Sequence, residues 1–463
     1  DLREQPVASV STLLWALFIS DAVNAASGAT GTARYALGWS GGFTRVRRQF
    51  NVPVAEMEGV QEPLARMASL AYISAATVYQ TANLIDHGEK PAVPSAILKS
   101  QLTEFQRVLL SDAMDVHGGK AVTLGPRNYL GIGYSANPVA ITVEGANIMT
   151  RNLMIFGQGA MRCHPHLKEM VDLIYSEEKS ADAQFNKVLR KTVGFSVKNA
   201  FRSLFSSYLP FVRGAQSSLP EVRGYEKRLN ALSAKLAPMA DLSLAVLGGD
   251  LKKAELLSAR LGDIMSYLYG AMAAIRFYEQ RIEDRQQAKP YFDYAMQWSL
   301  QQAEQALVNF VRNFPNTPTR GLMRLLTATY SGSVSTISDD LIRELSMAAL
   351  QDNSVKAQLT HLVQPVAGDG NDINEQAFKA KHKVLPLLGK VQKALRKEPV
   401  VPFLSFENAL NKLQERGVVT VEEARDLHDY NEKRKLAVRV DEFTFDLELI
   451  SAEAPSQETK DAA

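Results

Sequence analysis

Pro63–Gly88 reads PLARMASLAYISAATVYQTANLIDHG, and its spacing decides the fold class. After a proline of the kind tolerated in a helix's first turn, Leu64, Met67, Ala71, Ala75, Val78, Ala82 and Ile85 recur at three- and four-residue steps. That is one apolar stripe on a helix, with Gly88 as its stop signal. A second helix is expected from Pro94-Ser95, carrying Ile97, Leu98, Leu102, Phe105 and Leu109 and ending at Gly118-Gly119. A loop holding Gly125-Pro126 leads to a third helical stretch, Pro138–Gly159, PVAITVEGANIMTRNLMIFGQG. Three long amphipathic helices with short connections predict an antiparallel bundle.

The helical period continues. Ala181–Tyr208, Gly224–Val246, Leu251–Arg281 and Pro290–Phe314 read as helices, with Gly248-Gly249-Asp250 as a turn between two of them. Beyond Phe314 the pattern is more broken, and Glu432-Lys-Arg-Lys435 reads as an exposed charged surface. Ser451–Ala463, SAEAPSQETKDAA, has almost no large apolar group and is expected to be disordered. The chain is predicted to be all-α.

A length of 463 residues suggests roughly two to four domains. With 52 basic and 50 acidic residues the net charge is +2, so no global field favours nucleic acid. Lys252-Lys253, Arg260 and Arg276 accordingly read as solvated faces. A single cysteine, Cys163, excludes an internal disulfide, argues against a cysteine metal cluster and fits a reducing cytoplasm. No metal site is expected; His164-Pro-His166 reads as a loop histidine pair. Val7–Ser20, VASVSTLLWALFIS, is apolar but shorter than the roughly 20 residues that span a bilayer, and lacks the basic leader of an export signal. A packed helix, a membrane-surface contact and a non-native leader stay open for it. The chain starts with Asp1, which fits a fragment or a processed product.

Glu144 is the candidate catalytic residue. Its helical neighbours are Ala140, Ile141, Asn147 and Ile148, none basic, and Gly145 follows directly. A carboxylate in apolar surroundings has its pKa raised toward the value of a general base, and the glycine leaves room for a ligand. The alternative is a glutamate paired with a distant arginine. Two further features suit an anionic group only weakly. Arg45, Arg47 and Arg48 run into Gln49-Phe50, and arginine forks suit phosphates. Asp115-Val-His-Gly-Gly119 ends a helix at two glycines, where a ligand could lie on the backbone. No P-loop, H-E-x-x-H or Rossmann G-x-G-x-x-G is present.

The order of these segments resembles the acyl-CoA dehydrogenases. The resemblance rests on Arg47-Arg-Gln-Phe50, Glu58-Gly-Val-Gln-Glu62, Asp112-Ala-Met-Asp-Val-His-Gly-Gly119, Leu124-Gly-Pro-Arg-Asn-Tyr-Leu130, Ile141-Thr-Val-Glu-Gly-Ala-Asn-Ile148 and Phe156-Gly-Gln-Gly-Ala-Met-Arg-Cys-His-Pro165. The region after His164, with Ser258-Ala-Arg-Leu-Gly-Asp263, is similar to the extra helical domain of the long bacterial branch used in fatty-acid β-oxidation. The resemblance covers about Thr30 to Ile450. It implies an unmatched leader over 1–29, a C-terminal helical bundle over 30–163, a second, bacterial-type helical domain over 164–450, and a disordered tail over 451–463.

The function implied is α,β-dehydrogenation of a fatty acyl-CoA to trans-2-enoyl-CoA with FAD as cofactor, a glutamate taking the α-proton while hydride leaves from the β-carbon. By resemblance Glu144 is that base. Arg47 and Gln49 match positions that hold the FAD pyrophosphate of a neighbouring subunit, Gly118 and Gly119 match the turn that meets the same cofactor, and Asp115 stands where shorter relatives commonly carry glutamine. Ala146 and Ile148 depart from polar residues that often touch FAD. The implied partners are an electron-transfer flavoprotein and a second copy of the chain, with association to the inner membrane open. The family's N-terminal helical and middle β domains have no counterpart here, so the alternative is a non-catalytic helical scaffold that dimerises or binds acyl chains.

Overall fold

The computed structural model describes residues 7–50, 52–143, 145–159, 164–174, 176, 181–209, 214–329, 336–360, 370–396 and 406–444. α1 (Val7–Val46) leads into a small antiparallel ribbon, β1 (Arg48–Gln49) with β2 (Val52–Pro53), registered Arg48 to Pro53 and Gln49 to Val52. α2 (Glu58–Asp86), α3 (Ala92–His117), the single turn α4 (Gly119–Val122) and α5 (Gly131–Thr142) follow. α6 (Asn147–Met149) runs on into π-helical turns over Thr150–Gln158. Then come α7 (Leu167–Ile174), α8 (Ala181–Tyr208), α9 (Pro220–Leu247), α10 (Glu255–Gln280), α11 (Arg285–Arg312), α12 (Thr317–Thr327), α13 (Asp339–Leu350), α14 (Ser354–Thr360), α15 (Gly370–Arg396), α16 (Phe406–Glu415) and α17 (Val421–Val438). The fold is all-α, as expected.

Two expectations about the first helices need correction. α2 starts at Glu58, so Pro63 lies inside the helix, where its missing N–H leaves the Gly59 carbonyl without an i+4 donor. Nor does α2 bury a single stripe. From Leu64 to Thr77 every residue but Arg66 is buried, the serines and threonines included. The Ser74 and Thr77 hydroxyls make this tolerable by donating to the Leu70 and Ile73 carbonyls at 2.7 and 2.8 Å. Ile85, at the end of the expected stripe, is exposed. α3 stops at His117, where the glycine pair predicts it.

The chain forms two compact units, neither a single stretch of sequence. One comprises Asp1–Ala33, Ala65–Val108 and Asn137–Leu359; the other comprises Arg34–Leu64, Leu109–Ala136 and Thr360–Ala463. The core of the first is the α10–α11 pair. Gly270 of α10 lies against Ile73 of α2, and Tyr278 of α10 stacks on Phe292 of α11 at 4.2 Å. Tyr72 of α2 meets Phe277 edge-on at 5.4 Å. Each fully buried aromatic here contributes roughly 1.5–3 kcal/mol. In the second unit Val384 of α15 packs with Leu410 and Leu413 of α16 and Leu427 and Tyr430 of α17. α17 starts at a capping box formed by Thr420 and Glu423.

Candidate cofactor and catalytic site

The stretch carrying Glu144 is not one continuous helix. α5 ends at Thr142, Gly145 adopts φ +88°, and helix resumes at Asn147. Glu144 itself lies outside the described residues. Gly145 therefore serves the backbone, since few other residues adopt this conformation.

The two sides of this break are held by a residue that sequence reasoning missed. Lys99 of α3 is fully buried, and its ammonium donates to the Gly145 carbonyl at 2.6 Å, the Asn147 Oδ1 at 2.8 Å and the Ile141 carbonyl at 3.2 Å. A cation on the last carbonyls of α5 also complements the negative end of that helix. Asn147 is the second hub: its amide donates to the Thr103 hydroxyl at 2.8 Å and to Glu104 at 3.0 Å. The available signal was a lone lysine among Ala96, Ile97, Leu98 and Leu102.

After the break, the π-helical turns are seated on α10. Arg151 grips Asp263 with two hydrogen bonds, of 2.7 and 2.6 Å. Gly262 faces the Arg151 carbonyl so closely that a Cβ would sit 3.1 Å from it. Ser258 anchors the start of α10 through the Leu251 carbonyl at 2.9 Å. Ser258-Ala-Arg-Leu-Gly-Asp263 is thus the docking seat of the segment that follows Glu144.

The other expected site residues, Arg47, Gln49, Asp115, Gly118 and Gly119, all belong to the second unit. Phe43 stacks on His117 with ring centroids 4.3 Å apart. Arg47 lies one turn beyond Phe43, its N–H bonded to the Phe43 carbonyl at 2.8 Å, and Gly118 directly follows His117. That stack brings the ends of α1 and α3 together. The three arginines of the basic cluster differ. Arg45 is buried, donating to the Gly41 carbonyl at 3.0 Å, lying 3.4 Å over the Phe378 ring and pairing with Glu375 at 3.8 Å. Arg47 is half-buried, and among the described residues its guanidinium has no partner. Gln49 and Asp115 are exposed and likewise without side-chain partners among the described residues. Phe50 is 90% exposed at φ 49°, an aromatic offered to solvent on a strained turn. Gly118 adopts φ 60°, and nothing lies within 4 Å of where a Cβ would stand on Gly118 or Gly119.

Beneath this turn His117 forms a buried polar cluster. Its Nδ1–H donates to the Ala113 carbonyl at 2.7 Å and its Nε2 accepts from the Tyr129 hydroxyl at 2.7 Å, a pattern that requires the neutral ring. Burial pushes its pKa down to about 3, against a smaller upward pull from the Ala113 hydrogen bond. Asn374 donates to the Tyr129 hydroxyl at 3.1 Å, and Trp39 packs edge-on against the Tyr129 ring. Lys120 sits beside the glycine turn but donates to the Arg439 carbonyl at 2.9 Å; burial lowers its pKa to about 8.

The His164-Pro-His166 pair is not isolated. His164 Nε2 lies 3.5 Å from Asp241 of α9, while its Nδ1 accepts from the His166 N–H at 3.2 Å. Among the described residues one group, Glu407, His428 and Glu432, has ligand atoms close enough for a metal. Lys435 already bridges Glu407 and Glu432, offsetting one of their two charges.

Comparison with known proteins gives these residues a context. The bacterial-type C-terminal domain of acyl-CoA dehydrogenases matches residues 161–443, more than half of the chain, and the acyl-CoA dehydrogenase C-terminal domain matches residues 16–155. The chain belongs to the acyl-CoA dehydrogenase family. An acyl-CoA dehydrogenase from Bacillus anthracis, solved with FAD, shares the fold at a TM-score of 0.57 and 17% identity, over 72% of this chain and 56% of that one. Acyl-CoA oxidase-1 of Caenorhabditis elegans, solved with FAD and ATP, gives a TM-score of 0.47 at 14% identity, over 74% and 51% of the two chains. A 3-(aryl)acrylate reductase of Clostridium sporogenes is 30% identical over 97 residues, 21% of this chain and 26% of that protein. The chain thus spans about half the length of the solved relatives and about a quarter of the curated one. The acyl-CoA dehydrogenase C-terminal match reaches back to residue 16, into the apolar N-terminal stretch.

Proposed function

We propose that this chain is the C-terminal part of an FAD-dependent acyl-CoA dehydrogenase that introduces the α,β double bond into fatty acyl-CoA thioesters in β-oxidation, with Glu144 as the α-proton base. The observation that carries the reading is the convergence of Arg47 with Gly118 and Gly119 around the Phe43–His117 stack. An unpartnered arginine beside open, glycine-only backbone is a seat for a phosphate-bearing group. Arg47 and Gln49 would hold the FAD pyrophosphate, and the bare backbone at Gly118-Gly119 would let the cofactor lie against it. Asp115, an anion, suits a hydroxyl donor rather than a phosphate. Bound FAD supplies the hydride acceptor of the reaction.

The remaining chemistry falls to this chain's own residues. Glu144 takes the α-proton. Lys99 holds the Ile141 and Gly145 carbonyls and the Asn147 side chain, fixing the described backbone on both sides of position 144. The Arg151–Asp263 clamp holds the next turns on α10. Acrylate reduction, named for the Clostridium relative, changes the same kind of bond in the opposite direction. An electron-transfer flavoprotein as acceptor, a homo-oligomeric state and a cytoplasmic location complete the proposal.

The test is Glu144→Gln in the complete enzyme. Loss of a general base costs about 10²–10⁴-fold in turnover. Turnover should fall at least that far while the flavin absorbance persists. Retention of more than about a tenth of wild-type turnover with acyl-CoA substrates would remove Glu144 from the mechanism.

A further inference from the structure

The C-terminal half of α8 (Ala181–Tyr208) buries small polar residues and leaves large apolar ones exposed. The helix's buried residues are Ala181, Val188, Asn199, Ser203 and Ser206, and the Ser203 and Ser207 hydroxyls donate to the Leu326 carbonyl at 2.9 and 3.0 Å. Val188 is buried and Phe195 lies against His164 and His166, but six other large apolar residues point the other way. Leu189, Val193, Val197, Phe201, Phe205 and Tyr208 follow one another at steps of four, four, four, four and three, and each is 38–55% exposed. Phe201 and Phe205 stack on each other with ring centroids 6.2 Å apart. The same helix exposes five basic residues, Lys187, Arg190, Lys191, Lys198 and Arg202, against one acid, Asp182, a net charge of +4 in a chain whose total is +2. On a helical wheel the exposed apolar stripe lies opposite the buried face, and most of the basic residues border one edge of it. The neighbouring α12 repeats the composition: Leu322 and Leu325 are exposed, and its charges are Arg320 and Arg324.

We propose that α8 lies on an anionic lipid surface, its Val, Phe and Tyr stripe at the headgroup boundary and its lysines and arginines on the phosphates. An outward apolar stripe with a basic border is the pattern of an interfacial helix, and basic residues near an anionic leaflet contribute about 1 kcal/mol each. A second copy is a poorer occupant, because self-pairing would set +4 against +4. A spanning role belongs elsewhere if anywhere: α9 with the turn after it, Pro220–Lys252, is long and apolar enough to cross a bilayer, but it buries Val222, Leu232 and Met239 within its own unit. The proposal is independent of the role of Glu144.

The experiment is co-sedimentation of the full chain with vesicles of phosphatidylcholine alone and of phosphatidylcholine mixed with phosphatidylglycerol. Binding is expected to the mixed vesicles, at least tenfold weaker to the neutral ones, and to fall with salt. The double variant Phe201→Glu with Phe205→Glu changes only exposed positions; it should keep its helical circular dichroism and lose binding at least tenfold. Lys187→Glu with Lys191→Glu should abolish the preference for anionic vesicles. Light scattering without lipid separates the other occupants. If the wild type ignores both vesicles, or if the phenylalanine variant binds them unchanged, α8 is not the lipid surface. If that variant instead breaks an oligomer and leaves lipid binding intact, the stripe is an interface between copies.

Discussion

The Lys99 ammonium donates to the Gly145 carbonyl at 2.6 Å, a bond between residues 46 positions apart that fixes the backbone just after Glu144. The same ammonium reaches Ile141 before the break and Asn147 after it. Lys99→Met keeps the length of the side chain but removes all three donors. Each buried acceptor left unsatisfied costs about 1–3 kcal/mol. The variant should melt earlier, and amide hydrogen exchange should rise across residues 141–150 more than across α10. Unchanged exchange in that segment would mean that Gly145 and its neighbours hold the turn unaided.

Arg45 and Arg47 should fail in opposite ways. Arg45 is built into the core through Gly41, Phe378 and Glu375. Its replacement by alanine should cost about 1–3 kcal/mol of stability and leave the flavin seat intact in whatever folds. Arg47→Ala removes no internal contact among the described residues, so the denaturation midpoint should hold while flavin is lost on desalting. Equal flavin occupancy in the two variants would show that Arg47 does not meet the cofactor.

The adjacent glycines separate strain from space. Gly118 has φ 60° and ψ −137°, a conformation costly for any L side chain. Gly118→Ala should cost about 1–3 kcal/mol although nothing obstructs the added methyl. Gly119 is the first residue of α4 with equally open surroundings, so Gly119→Ala should be neutral or slightly stabilising. Both methyls would occupy the space proposed for the cofactor, so both variants should retain less flavin. Full flavin occupancy in Gly119→Ala would place the cofactor elsewhere.

What the sequence made legible follows from the range of the interactions. α8 runs from Ala181 to Tyr208, as its periodicity predicts, and α3 ends where its glycines say. These depend on neighbours a few residues apart. The break at Gly145 was hidden because Ile141 and Ile148 keep helical spacing whatever φ the glycine adopts. Lys99 was hidden because its partners are chiefly main-chain carbonyls, which carry no side-chain pattern. The full burial of α2 was hidden because serines and threonines that return their hydroxyls to the i−4 carbonyl look polar in sequence and behave as core. Arg45 and Arg47 are alike in sequence; only the seating of Phe378 over one of them tells them apart.

His117 predicts a specific pH dependence. In the folded chain its pKa is about 3, from burial chiefly, against 6.5 for an unperturbed ring. Above pH 6.5 the ring is neutral folded and unfolded, and the stability tied to this buried neutral form is fully present. As pH falls below 6.5 the unfolded chain takes up a proton that the folded chain refuses, so stability declines until about pH 3, by at most about 1.4 kcal/mol per pH unit. His117→Phe keeps a ring against Phe43 but gives up the hydrogen bonds to Ala113 and Tyr129. At pH 8 the variant should therefore be the less stable protein. Between pH 6.5 and 4 its stability should fall less steeply than the wild type's, because one protonation event is gone, and the two curves should converge. Carboxylates titrate in the same window, but they are common to both proteins and cancel in the comparison. Chemical denaturation of both at several pH values reads the difference directly. Parallel curves over that range would mean that His117 is protonated in the folded chain, and the neutral ring bonded to Tyr129 would have to be abandoned.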